Sequence, residues 1–171
     1  ELVSSCYSYM FDGCTNLKTA PELPAETLAY GCYSYMFNGC TNLTKAPILP
    51  ATTLAENCYK NMFSGCTNLV EAMDLPADTL ANYCYQSMFR GCTNLTKAPQ
   101  TIAAKDFPVN SCASMFNGCT SLTKAPVISL TVANPTSSRY MQNYCFSYMF
   151  SGCTNLTEVQ EEMPNTGMGN N

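Results

Sequence analysis

The amino-acid sequence predicts a solenoid of six stacked repeats, with short parallel β-strands on one face and short helices on the other. The first observation is a motif, Met-Phe-x-Gly-Cys-Thr-(Asn/Ser)-Leu, that occurs six times in 171 residues. The second is its spacing, because the intervals between its methionines are 26, 26, 26, 27 and 34 residues. Those methionines are Met10, Met36, Met62, Met88, Met115 and Met149. The third is that glycine and proline stand at fixed places in the unit and mark where its elements end.

Each unit begins with the segment that is predicted to be a helix. In the unit that runs from Cys32 to Asn57, Cys32 and Met36 are four residues apart, as are Tyr33 and Phe37. A helix of under two turns would place these four side chains on one side. A glycine then follows in every copy, which fits a left-handed cap at the end of the helix. These glycines are Gly13, Gly39, Gly65, Gly91, Gly118 and Gly152.

The next four residues, 43–46 in the same unit, are predicted to form one rung of a parallel sheet. They are too few to be stable alone, but they can pair with their counterparts in neighbouring coils. Because proline cannot donate to the ladder, the proline that follows the rung in four copies requires short strands. These prolines are Pro21, Pro47, Pro99 and Pro126. Leu49 and Leu54 then carry the chain round the far side and are expected to point inwards.

Two copies depart from the regular unit. Cys112 stands three residues before its methionine instead of four, and the last return is eight residues longer than the others. We expect both changes to lie in loops.

The domain organisation follows from the extent of the repeats. Leu2 precedes Cys6 by four residues, as Leu28 precedes Cys32, so the chain is predicted to start within a repeat and to be a fragment of a larger protein. The six-coil solenoid is predicted to cover residues 1–159. Residues 160–171 form a polar C-terminal tail that is expected to be frayed.

Composition and charge exclude several classes of protein. With 12% charged and 46% apolar residues, the chain is expected to fold and not to be disordered. Its 8 basic residues against 12 acidic ones lack the surplus that phosphate-backbone binding requires, so no nucleic acid partner is predicted. No apolar run approaches the roughly 18 to 20 residues that span a bilayer, so no membrane insertion is predicted either.

The repeated MFxGCTNLTKAP motif, followed by LPATTLA, resembles the BspA-like leucine-rich repeat surface proteins of Bacteroidetes and other bacteria. The resemblance covers residues 2–159, although the unit here is longer than the one common in that group. It implies a right-handed leucine-rich-repeat solenoid of the α/β type, export to the cell surface, and adhesion or protein binding. It also implies that such segments occur in tandem within much larger proteins.

The twelve cysteines fall into six pairs whose members are eight residues apart, or seven in one pair. An intervening helix would separate the two members by about 10 Å or more, beyond the limit of about 7 Å between the Cα atoms of a disulfide. We therefore favour free, buried thiols that stack in columns of small apolar side chains, and disulfides are the alternative. The column predicted to be buried consists of Cys14, Cys40, Cys66, Cys92, Cys119 and Cys153.

No metal site, cofactor or catalytic residue is predicted. The chain has no histidine, and the spacing of its cysteines differs from that of zinc knuckles. Without histidine, the usual general base for a serine or cysteine nucleophile is missing. The acidic residues are scattered, and the sequence therefore indicates that the protein is not an enzyme.

The tyrosines form two predicted columns. Tyr7, Tyr33, Tyr59 and Tyr85, with Phe146, stand four residues before the phenylalanines of the motif, so core packing is favoured for them. A second column of Tyr9, Tyr35 and Tyr148 is expected to be more exposed, although Asn61 and Ser87 interrupt it. Exposed aromatic columns can stack on sugars or anchor a protein partner.

The candidate binding surface is the sheet face, because each rung leaves two outward residues between an inward leucine and an inward alanine. Charge varies along this row while the framework is repeated, as in the binding surfaces of other repeat proteins. A solvated polar face is the alternative interpretation. The candidate binding residues are Thr19, Lys45, Glu71, Lys97, Lys124 and Glu158.

The leading hypothesis is a non-catalytic interaction or adhesion module at the cell surface or outside the cell, which binds a protein or glycan partner. Further tandem repeats of the same chain are a second kind of expected partner. The alternative is a structural spacer or fibre segment of a larger surface, phage or filament assembly.

Overall fold

A computed structural model describes residues 1–132 and 140–159, which form six successive coils. Two β-strands are present in this part of the chain, β1 (Thr101–Ala104) and β2 (Val127–Leu130), and they pair in parallel. Neighbouring coils are otherwise joined by isolated parallel bridges. The tail that was assigned to residues 160–171 and the middle of the last return lie outside the described residues.

The segment predicted to be a short helix is a run of consecutive tight turns, which we call the turn ribbon (residues 31–40 in the second coil and their equivalents). The N–H of Met36 donates to the carbonyl of Tyr33, three residues back, and this pattern recurs along the ribbon. Backbone φ is positive at every fourth residue, with values of 56° at Gly31, 57° at Tyr35 and 68° at Gly39. The helix prediction was therefore wrong, and the described residues contain no α-helix.

The remaining N–H groups of the turn ribbon donate to the next coil. The N–H of Tyr33 donates to the carbonyl of Cys58 at 3.0 Å, and that of Phe37 donates to the carbonyl of Met62 at 2.9 Å. Turn bonds and bonds between coils alternate along the chain, so the buried backbone groups are paired although there is no helix. Each coil therefore depends on its neighbour for both hydrogen bonding and burial.

The core consists of aromatic columns that run through the stack. The phenylalanine rings of successive motifs are nearly parallel, with centroids 5.5 to 5.7 Å apart. The first tyrosine column packs beside them, with Tyr33, Tyr59 and Tyr85 buried and Tyr7 39% exposed. Phe146 takes the equivalent place in the last coil, as expected, but its ring contacts that of Phe107 at a tilt of 55°.

The irregular cysteine spacing of the fifth coil lies in the core and not in a loop. The N–H of Tyr85 donates to the carbonyl of Ser111, whereas in the second coil the N–H of Tyr33 donates to the carbonyl of Cys58. Ser111 therefore occupies the place of the first cysteine, and Cys112 occupies the place of the tyrosine. Cys112 is fully buried, so the expectation that this irregularity lies in a loop was wrong.

The return segments bring leucines into the core and provide a second line of pairing. Leu49 and Leu54 are 2% and 6% exposed, as expected for inward-pointing side chains. The longer return of the fifth coil is extended where β2 pairs with β1. In the described ranges, no helix has the length and apolar character that crossing a membrane would require.

Replacing Gly65 with alanine is expected to lower the free energy of unfolding by about 1–2 kcal/mol. Gly65 has a φ of +73°, and an added Cβ would lie 3.7 Å from the Cα of Gly39, which is an ordinary contact distance. The loss would therefore come from the left-handed backbone and not from a clash, and urea denaturation followed by circular dichroism measures it. Ser64→Ala is the control, with an expected change below about 0.5 kcal/mol. An equal loss in the control would contradict this explanation.

Candidate functional site

The six candidate binding residues lie in one row on the sheet face. Parallel bridges join Thr19 to Lys45, Lys45 to Glu71, Glu71 to Lys97, and Lys124 to Glu158. All six residues are exposed, while the leucine of each rung points inwards. No bridge joins Lys97 to Lys124 within the described chain, where two like charges would lie opposite each other.

Four of the charged residues in this row form ion pairs between neighbouring coils. Lys97 Nζ lies 3.5 Å from Glu71 Oε1, and Lys124 Nζ lies 3.3 Å from Glu158 Oε2. Their side chains are 64 to 70% exposed, so each pair contributes at most about 1 kcal/mol. In the part of the chain that the structure describes, Lys45 forms no ion pair, and its charge is therefore available to a partner.

The row lies along a shallow groove made of three connected depressions, with volumes of about 450, 770 and 610 Å³. Lys45 and Ile48 line both the first and the second depression. Glu71 and Asp74 line both the second and the third. Because the depressions share residues, the groove extends along the sheet face from Thr19 to Glu158.

The groove also has an apolar edge that the sequence analysis did not identify. Ile48 is 80% exposed, and Val70 and Val127 are 47% and 45% exposed. Ile48 and Val127 directly follow the proline that ends a rung, where other coils carry Glu22 or Asp74. An apolar residue at a position that is acidic elsewhere was the signal available in the sequence.

The cysteine column that was predicted to be buried is buried at Cys40, Cys66, Cys92 and Cys119. Cys153 is half-buried. Cys14 is exposed, contrary to the prediction, because it lies in the first coil, which has a neighbouring coil on only one side among the described residues. All twelve cysteines are free thiols in the structure.

The thiols of this column form a repeated hydrogen bond between coils. Cys66 Sγ lies 3.1 Å from the carbonyl oxygen of Phe37 in the preceding coil. Cys40, Cys92, Cys119 and Cys153 make the equivalent bond at 3.0 to 3.1 Å. The side chain therefore acts as a small apolar residue with one weak donor, which fits a structural role.

A further ion pair lies outside the groove, on the return segments. Lys105 Nζ lies 3.1 Å from Asp78 Oδ2 and donates to Thr79 Oγ1 at 3.1 Å. The hydrogen bond from Lys105 lowers the pKa of the Asp78 carboxyl group. Across residues 1–132 and 140–159, no three cysteine, aspartate or glutamate side chains are grouped so that they could hold a metal ion.

Comparison with known proteins assigns the chain to a family. Residues 1–123 match the BspA type leucine rich repeat region, with six copies. The chain therefore belongs to the BspA-type leucine-rich repeat family. A search of curated protein sequences finds no match.

Two solved structures are similar to this chain. The first is a leucine-rich repeat protein from Bacteroides ovatus, with 19% identity over 93% of this chain and a TM-score of 0.42. The second is a leucine rich cell surface protein from Faecalibacterium prausnitzii, with 16% identity over 90% of this chain and a TM-score of 0.23. The chain spans 40% of the first of these proteins and 62% of the second.

Proposed function

We propose that this chain is a non-catalytic interaction module of a cell-surface or extracellular protein, and that its sheet-face groove contacts a protein partner. Membership of a repeat family that generally serves protein interaction or a surface role supports the proposal. The observation that carries it is the groove, which is continuous over all six coils. Within it, the unpaired cation of Lys45 lies beside the exposed side chain of Ile48.

The residues of the groove favour a protein over a glycan as the partner. An apolar centre with charges around it is typical of protein interfaces, and Ile48 with the neighbouring prolines supplies such a centre. Lys45 would pair with a carboxylate of the partner, which would direct association and fix its register. The ion pairs at Lys97 and Lys124 make the remainder of the row close to neutral.

The test is binding of the purified chain to an array of secreted and cell-surface proteins. The triple variant Lys45→Glu, Lys97→Glu, Lys124→Glu is expected to weaken binding by about ten-fold or more, because it places like charges against the partner. Dissociation constants from biolayer interferometry measure the effect on each protein that the wild type binds.

The matched control reverses two charges outside the groove, Lys60→Glu and Arg90→Glu. Binding by this double variant is expected to stay close to wild type. A structural spacer would bind no protein on the array, and that result would contradict the proposal. An equal loss of binding in the triple and the double variant would also contradict it, because the sheet face would then have no special role.

A further inference from the structure

A second surface is formed by left-handed residues on the turn ribbons. Each coil has two such residues before its final glycine, and all of them except Gly31, which is buried, are at least partly exposed. We call these twelve positions the ribbon face. They are Ser5, Tyr9, Gly31, Tyr35, Asn57, Asn61, Tyr83, Ser87, Asn110, Ser114, Tyr144 and Tyr148. Seven are glycine, asparagine or serine, and the other five are all tyrosine.

The tyrosines are out of place at these positions by backbone preference. Glycine and asparagine tolerate a positive φ, whereas a bulky side chain is strained there. At three of the five tyrosines the core does not compensate for this strain, since Tyr9, Tyr144 and Tyr148 are 55%, 69% and 75% exposed, whereas the other two are half-buried. Strained residues that add little to packing are candidates for a functional role.

Tyr144 and Tyr148 form the most open part of the ribbon face. The N–H of Asn110 donates to the carbonyl of Asn143, and the N–H of Ser114 donates to that of Ser147, which places Asn110 beside Tyr144 and Ser114 beside Tyr148. Among the described residues, no aromatic ring stacks on either tyrosine. Each open ring therefore has a small polar residue of the neighbouring coil next to it.

The other tyrosines of the ribbon face differ from this open pair, because they stack on each other in the first two coils and one is covered by a lysine in the fourth. Tyr9 and Tyr35 are stacked with centroids 4.7 Å apart, and the next position in the column is Asn61. Tyr83 differs, because the Nζ atom of Lys60 lies 5.5 Å from the centre of its ring. A cation of the chain itself therefore covers Tyr83, which leaves it as an internal comparison for the open tyrosines.

We propose that the open end of the ribbon face, formed by Tyr144, Tyr148 and the neighbouring Asn110 and Ser114, binds neutral glycans, with the two tyrosine rings as the stacking platform. The negative π face of a tyrosine attracts the weakly positive C–H face of a pyranose ring. The side chains of Asn110 and Ser114 can donate to and accept from the sugar hydroxyl groups. None of the twelve positions carries a charge, which favours neutral sugars over acidic ones. This site uses a different surface from the sheet-face groove and does not depend on the proposed function.

A protein loop is the competing ligand, because tyrosine, serine, asparagine and glycine also dominate antibody paratopes. Protein interfaces, however, usually have an apolar centre. The ribbon face has no aliphatic side chain at any of its positions. The tyrosine rings match the C–H face of a sugar, and the small polar side chains between them match its hydroxyl groups. A glycan is therefore favoured over a protein loop as the ligand.

The test is native affinity electrophoresis in gels that contain galactomannan, xyloglucan or mixed-linkage β-glucan, with acidic pectin as the charged comparison. At least one neutral polysaccharide is expected to retard the wild type. The variant Tyr144→Ser, Tyr148→Ser should weaken that binding by about ten-fold or more, because it removes both stacking rings. Serine already occupies the position equivalent to Tyr144 at Ser5 and the position equivalent to Tyr148 at Ser87, so this variant should fold.

Tyr83→Asn is the matched control, because asparagine occupies the equivalent positions Asn57 and Asn110. Its binding should stay within about two-fold of the wild type, and circular dichroism should show both variants folded. The sheet-face triple variant should also keep its retardation, which separates this site from the groove. Retardation by none of the neutral polysaccharides, or by pectin alone, would overturn the proposal. So would equal weakening in the serine and control variants, or a protein ligand that binds through these tyrosines.

Discussion

The free energy of unfolding is expected to fall steeply once the pH rises above about 9, the ordinary pKa of a thiol. Burial raises the pKa of Cys66, Cys84 and Cys119 to about 12 and that of Cys40 to about 11. Burial also raises the pKa of the Tyr33 phenol to about 12. These groups stay protonated in the folded chain while the same groups ionise in the unfolded chain.

The direction of this pH dependence follows from the number of protons that the folded and the unfolded chain hold. Below pH 9 both states keep the thiol protons, so the stability contributed by these groups is fully present. Between pH 9 and about 12 the unfolded chain holds fewer protons, and each thiol lowers the free energy of unfolding by up to about 1.4 kcal/mol per pH unit. Several thiols together would remove a typical stability of about 5–15 kcal/mol within about two pH units.

Urea denaturation at pH values from neutral to strongly alkaline, with a phosphine reductant to prevent oxidation, measures this slope. Cys84→Ala removes one fully buried thiol. It should therefore reduce the slope of the free energy of unfolding against pH by up to about 1.4 kcal/mol per pH unit, which corresponds to one proton. Met62→Leu is the control, because it changes a buried side chain without removing an ionisable group. Its slope should equal that of the wild type even if its stability at neutral pH differs. A stability that stays constant to pH 11 would contradict burial of the thiols.

The sequence was sufficient to predict which residues face inwards, because burial depends on side-chain spacing and not on the type of backbone. Cys32 and Met36 face the core whether the segment is a helix of 3.6 residues per turn or a ribbon with a period of four. Over the four residues that separate them, the two periods differ by only about 40° in side-chain direction. The distinguishing signal was the recurrence of small or turn-forming residues at every fourth position, as at Asn57, Asn61 and Gly65 in the third coil.

The irregular fifth coil could not be predicted by counting residues. Cys112 takes the place of a tyrosine, and Phe107 takes a place that a leucine occupies in earlier coils. Both side chains are fully buried. The small side chain of Cys112 in the tyrosine column is thus accompanied by the large side chain of Phe107 in the leucine column. This exchange of volume depends on contacts between coils. The charged row on the sheet face was predictable because it needs only the alternation of inward and outward residues, whereas the apolar edge at Ile48 also needs the shape of the return.

Replacing Phe63 with alanine is expected to lower the free energy of unfolding by about 3–5 kcal/mol. The side chain is fully buried, and its ring lies 5.5 Å from that of Phe37 and 5.7 Å from that of Phe89. The substitution would leave a cavity and remove two stacking contacts at once. Urea denaturation of the wild type and the variant at neutral pH, followed by far-ultraviolet circular dichroism, measures the loss.

Phe11→Ala is the matched control, because Phe11 is only half-buried and stacks on a single ring, that of Phe37. Its loss should be about half that of Phe63→Ala or less, since both the cavity and the stacking contribution are smaller. Because each coil contacts only its neighbours, a weakened third coil should also separate the unfolding of the two ends, which would lower the apparent m-value. Equal losses in the two variants would show that the column does not act through contacts between neighbouring coils.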